Sequence, residues 1–194
     1  MKRKITVSQV IGILLIMVGA ALCVGTKMQK DHRSGNVENI VWQIEQMLPN
    51  RSNGIEDYAM DSQMPIYEIG DEDFIGLLEA PAYQIKLPVA SEWERKILSS
   101  YPCRLYGSVY DGSLIIGGVD SRGQFDFLSK LELEEEILVV DMSGAEFGYC
   151  VKRIDRAKDV SAEKLYDVEY PLTLYVRDSK SFKYIIVRCV SKWK

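Results

Sequence analysis

At 194 residues, 47% of them hydrophobic, the chain has material for one packed domain of ordinary size and an appendage. A formal net charge of -4 and a pI of about 5.2 give no broad basic face, which excludes nucleic acid as a partner. A single histidine excludes histidine-based zinc sites as well.

The first element is apolar. From Ile5 to Thr26 the only polar side chains are Thr6, Ser8, Gln9 and Thr26, and Val10 to Val24 carries no charge. As a helix, a run of ~20 residues rises ~30 Å, the depth of the hydrocarbon layer. Lys2, Arg3 and Lys4 precede it and Lys27, Lys30 and Arg33 lie beyond it, a modest bias toward a cytoplasmic N-terminus. The expectation is a membrane anchor over residues 1–26, inserted through 5–26. A cleavable signal peptide with Gly19 and Ala21 near its cleavage site is the competing reading, although the run is long for one. Bulky Leu22 argues against a lipoprotein site at Cys23. Either reading puts the rest of the chain, single-pass where the anchor is kept, outside the cell membrane, where disulfides form. Cys103, Cys150 and Cys189 lie there. Their odd number leaves at least one thiol unpaired within the chain, and the sequence does not decide whether Cys103 and Cys189 pair.

Residues 27–63 form a juxtamembrane stalk. His32 reads as an exposed polar residue. Val37, Ile40, Val41, Ile44, Met47 and Leu48 recur at helical spacing between an N-cap at Asn36 and a stop at Pro49, which predicts an amphipathic helix over 36–48 packed on the strand-rich domain. Asn50 to Gln63, with Asn53-Gly54, reads as a linker. Residues 64–194 are strand-rich: "DFIGLLEAP", "YQIKLPV", "RLYGSVY", "SLIIGG", "EEILVVD", "EFGYCVKRI", "PLTLYV" and "KYIIVRCV" are strands between turns, with a hairpin turn at Met142–Gly144. Helical pieces are expected at Glu92–Ser99, Gln124–Leu131 and "DVSAEKLY". The fold class is mainly β, a closed eight-stranded barrel expected to be antiparallel, since closure removes exposed edges.

Chemistry is scarce in this domain. A cysteine nucleophile needs a base, and no histidine is present. The runs "ELEEE" and "GDED" read as solvated turns. "GLLEAP" and "IGGVDSRG" lack phosphate-loop spacing. Cys189 shares strand parity with Ile185 and Val187 and is expected in the core, and Cys150 has no base in view. No cofactor or metal site is expected.

The phrases "IGLLEAPAYQIKLPV", "SEWERKILSSYPCRLYGS", "SLIIGG", "FDFLSKL", "LTLY" and "VRC" occur in the order seen in sortases. The closest resemblance is to a clostridial, class B-like subgroup whose phrases run I-x-x-L-E-I-P, L-P-V, P-C-R-x-x-G-S, L-V-I-A-G-H, H-F-x-x-L, L-T-L-F-T-C and R-x-x-V-R-C. The resemblance covers Phe74 to Cys189 and implies a sortase-like β-barrel on the outer face of a Gram-positive membrane. It also implies cysteine transpeptidase ancestry, in which a sorting motif is cleaved and joined to a cell-wall or pilin amine. The family histidine falls on Val119, its cysteine on Arg177, its arginine on Tyr184, and a subgroup histidine on Gln124.

Those substitutions argue against the activity. Arginine stays protonated and has no lone pair with which to attack a carbonyl, so Arg177 cannot stand in for a thiolate. Valine moves no proton, and Tyr184 can at most donate to an oxyanion. Sites stripped of nucleophile and base keep roughly 10³ to 10⁴ over water, far from covalent turnover. The reading is therefore a catalytically degenerate member, a pseudo-sortase that binds a peptide, sorting signal, cell-wall protein or active sortase. Asp120, Gln124, Arg177, Asp178 and Tyr184 are its expected groove residues. Within that groove Arg177 is expected to pair internally with Asp178 or Asp120, the alternative being a ligand carboxylate. An enzyme of altered chemistry using Asp120, Asp126 or Tyr184, or a purely structural assembly protein, are the other readings.

Overall fold

The computed structural model of the chain describes residues 16–20, 36–48, 51–53 and 63–192. Two compact units divide after Asn36. In the first, residues 16–20 are helical and exposed. The rest of the expected anchor, His32 and most of the linker lie outside the described residues. Among the described residues no helix is long and apolar enough to cross a membrane.

All of the helix α1 (36–47) but its first residue belongs to the second unit, and its span is close to the one its apolar spacing predicts. Ile40 and Ile44 are its buried positions, and they join Phe74, Leu77, Ala90, Tyr101, Val140 and Met142 in one cluster. Each fully buried isoleucine is worth about 1.5–3 kcal/mol, which is enough to seat a short helix that would not persist alone.

Among the described residues ten strands follow: β1 (Ser52–Asn53), β2 (Tyr67–Ile69), β3 (Glu72–Ala80), β4 (Ile85–Ala90), β5 (Cys103–Tyr106), β6 (Leu114–Val119), β7 (Glu136–Asp141), β8 (Ala145–Ala157), β9 (Leu172–Arg177) and β10 (Tyr184–Ser191). The eight expected strands are present. They close in the order β8-β10-β9-β6-β5-β4-β3-β7 and back to β8, while β1 and β2 are short additions on β8 and β3.

The antiparallel expectation is corrected. β4 runs parallel to β5 and β6 parallel to β9, so the barrel is mixed. Alternation along a strand fixes its two faces but says nothing of its neighbour's direction. Strand β5 also ends sooner than expected, because Gly107 turns at φ +75 where an added Cβ would lie 2.1 Å from the Ser113 carbonyl oxygen. The helical pieces are shorter too: α2 (Arg95–Leu98), a 3-10 turn at Phe125–Ser129, and α3 (Ala162–Leu165).

The lumen is filled by Ile75, Leu78, Val89, Leu114, Ile116, Phe125, Leu128, Val139, Val151, Leu174, Val176, Ile185, Val187 and Cys189. Strand β3 is buried along nearly its whole length because α1 covers the face that the lumen does not. A third cluster, Ile115, Leu165, Tyr175 and Ile186, lies on the outer side of β6, β9 and β10 beneath the β8–β9 connection.

Candidate functional site

Period-two alternation sends Leu174 and Val176 of β9 into the lumen and leaves Tyr175 and Arg177 outside. The register then builds rows across three adjacent strands. Val119 of β6 pairs with Arg177 of β9, which pairs with Tyr184 of β10. One row below stand Gly117, Tyr175 and Ile186, and below that Ile115, Thr173 and Arg188.

A cavity of about 490 Å³ opens over the first two rows. Its lining includes Val119, Asp120, Arg177 and Tyr184, with Trp93 and Leu98 on one side and Val160, Ser161 and Leu165 of the β8–β9 connection on another. Trp93 stacks on Tyr175 with ring centroids 5.6 Å apart and planes 20° from parallel. Gly117 makes that possible: a Cβ there would sit 2.5 Å from the Trp93 ring and 2.6 Å from that of Tyr175. Burial pushes the Tyr175 phenol up, and it stays neutral.

The β8–β9 wall is held from beneath. Arg188, 8% exposed, donates to the carbonyl oxygens of Lys164 (2.5 Å) and Leu165 (3.2 Å) at the end of α3. It also faces Asp155 at 3.4 Å and Asp167 at 4.0 Å, and lies 5.6 Å from the Tyr170 ring centre.

Val119, Asp120, Arg177 and Tyr184 are brought together, whereas two expected groove residues are not. Gln124 is 2% exposed. Its Oε1 accepts from the Val119 backbone N–H at 2.5 Å and its Nε2 donates to the Leu98 carbonyl at 3.1 Å, so it holds the cavity's frame from behind. Asp178 folds its own hairpin loop, accepting from the Lys180 backbone N–H and the Ser181 hydroxyl, which holds its carboxyl below the usual range.

The internal pair expected for Arg177 does not form. Asp178 lies just past the end of β9, where the Ser181 hydroxyl and the Lys180 backbone N–H take up its carboxyl. Asp120 instead accepts from the Ser179 backbone N–H (2.8 Å) and hydroxyl (2.6 Å). Among the described residues Arg177 makes no ion pair. Its guanidinium lies over the ring of Phe182, 5.7 Å from the ring centre.

No thiol or imidazole is among the described lining residues. Cys103, Cys150 and Cys189 are free. Burial pushes the Cys103 thiol up to about 12 and raises Cys189 further, while Cys189 sits in the core as expected. Cys150 does have a carboxylate beside it, against expectation: its thiol donates to Glu134 at 3.3 Å. Burial and that carboxylate raise the Cys150 thiol, and Lys152 holds Glu134 low, which makes it a poor base. Asp126 pairs with Lys130 on the 3-10 turn and is not among the lining residues. Among the described residues no cluster of His, Cys, Asp and Glu could hold a metal.

The Trp93–Tyr175 pair and the Arg188 anchor were not foreseen from the sequence. Strand parity with Arg177 would have placed Tyr175, but nothing local marks Trp93 or the β8–β9 wall.

No protein-family model and no curated protein matches the chain. Solved structures do. Sortase C1 of Streptococcus agalactiae aligns with a TM-score of 0.57 at 21% identity, covering 74% of this chain and 78% of that one. Clostridium perfringens sortase C, solved with the C-terminal cell wall sorting motif, aligns at 0.54 and 17% identity over 87% of this chain and 98% of that one. This is the sortase fold. A Clostridium perfringens sortase D5 transpeptidase is similar as well, at 0.52 and 14% identity over 61% of this chain and 78% of that one.

Proposed function

We propose that the chain is a membrane-anchored, extracytoplasmic pseudo-sortase of the class B-like clostridial kind, whose outer-face cavity binds a peptide or cell-wall partner without transpeptidation. The observation that carries this is the row Val119, Arg177, Tyr184. The three positions that the sequence resemblance assigns to histidine, cysteine and arginine stand in one register line at the cavity, with neither a thiol nor an imidazole among them. A structural neighbour was solved with a sorting motif, which supports a peptide as occupant. The apolar run 5–26 supports the anchor and the outward placement of the domain. The test is a titration of the full chain with sorting-signal peptides and wall-peptide amines. Saturable binding with no cleaved or joined product is expected. A transpeptidation or hydrolysis product above a buffer control would refute the reading.

A further inference from the structure

We infer that the cavity selects a peptide with a free C-terminal carboxylate, which Arg177 receives while an apolar or aromatic side chain near that terminus lies on Trp93. This rests on the groove-binding reading and names its ligand. Arg177 is the only cation among the described lining residues, and no described carboxylate pairs with it. Phe182, held at φ 57 in the hairpin loop, covers the face of the guanidinium. That arrangement steadies the group and leaves its N–H edge for a bidentate acceptor, the geometry a carboxylate fills. The one carboxylate among the described lining residues, Asp120, directs one oxygen at both Ser179 donors.

The second contact is the aromatic platform. Trp93 is 39% exposed, and its partner Tyr175 lies two residues before Arg177 on the same face. Two strand residues span ~6.6 Å, about the chain between a terminal carboxylate and the side chain of the last or penultimate residue. The remaining lining, with Leu98, Leu105, Val119, Val160 and Leu165, disfavours a sugar, whose many hydroxyls would lose water for few partners. Ser161 and Tyr184 offer hydroxyls suited to one or two peptide groups.

The test uses the full chain in phospholipid nanodiscs, titrated calorimetrically with acetyl-Ala-Ala-Phe as the free acid and as the amide, and with N-acetylmuramic acid. The acid is expected to bind at least tenfold tighter than the amide. Arg177→Gln should erase that ratio, and Arg177→Lys, keeping charge but losing the fork, should keep part of it. Equal affinity for acid and amide, or a preference surviving Arg177→Gln, overturns the inference and leaves groove binding standing. Binding of N-acetylmuramic acid in place of the peptide overturns the peptide assignment. No saturable binding of any probe overturns both readings.

Discussion

Replacing Arg188 with methionine keeps the bulk of its stem and removes every donor. The Lys164 and Leu165 carbonyls at the end of α3 lose the guanidinium that donates to both, and an unsatisfied buried acceptor costs about 1–3 kcal/mol. The lost contact with Tyr170 adds about 0.5–2 kcal/mol, and the removed ion pairs with partly exposed Asp155 and Asp167 add little. Because the connection can lift and let water reach its carbonyls, the net loss is placed at about 2–4 kcal/mol. At about 2–4 °C per kcal/mol for a domain of this size, the melting midpoint should fall by about 4–16 °C. Amide exchange should accelerate across 158–171 before it does in β6, β9 or β10, since the wall opens first. A midpoint within about 2 °C of the parent together with unchanged exchange across that segment would refute the anchoring role.

Three further outcomes are expected from the geometry. Gly117→Ala puts a methyl where the Trp93 ring lies, so Trp93 should swing off Tyr175: the near-ultraviolet circular dichroism should change and groove ligands weaken at least tenfold, while stability drops by about 1–3 kcal/mol. Arg177→Cys with Val119→His places a thiol and an imidazole on facing residues of neighbouring parallel strands, ~4.8 Å apart. Its thiol should alkylate faster than Cys150 at neutral pH, and a rate no greater would show that the row no longer supports the pair. Glu79 is buried, which alone would raise its carboxyl, yet hydrogen bonds and charge from Arg51 and Lys86 hold it below its usual 4.5. Its contribution to stability is therefore in place above that value and drains away as pH falls through and below it. Glu79→Gln should flatten the decline in denaturant midpoint between about pH 6 and pH 3, and an equally steep decline would dismiss the linkage.

The strands were legible because apolar alternation is strong in each of them, and α1 because Ile40 and Ile44 fall on one helical face. Strand direction was not, since the pairing of β6 with β9 depends on a connection running through β7 and β8. The row Val119, Arg177, Tyr184 was reachable through family phrases, whereas its surroundings were not. Gln124 was expected in the groove because it falls on the position of a subgroup histidine, yet its amide bridges two backbone groups behind the cavity. The pairing expected of Arg177 failed for a simpler reason: both candidate carboxylates, Asp178 and Asp120, are taken up by donors of the β9–β10 hairpin loop.

The grip of Arg188 is on main-chain oxygens of Lys164 and Leu165, and those oxygens exist whatever side chains the connection carries. Val160 and Ser161 can therefore be exchanged for other residues while the segment stays seated. The cavity's outer wall is in this sense interchangeable, an insert whose face can be rewritten by substitution without redesigning the barrel that bears it.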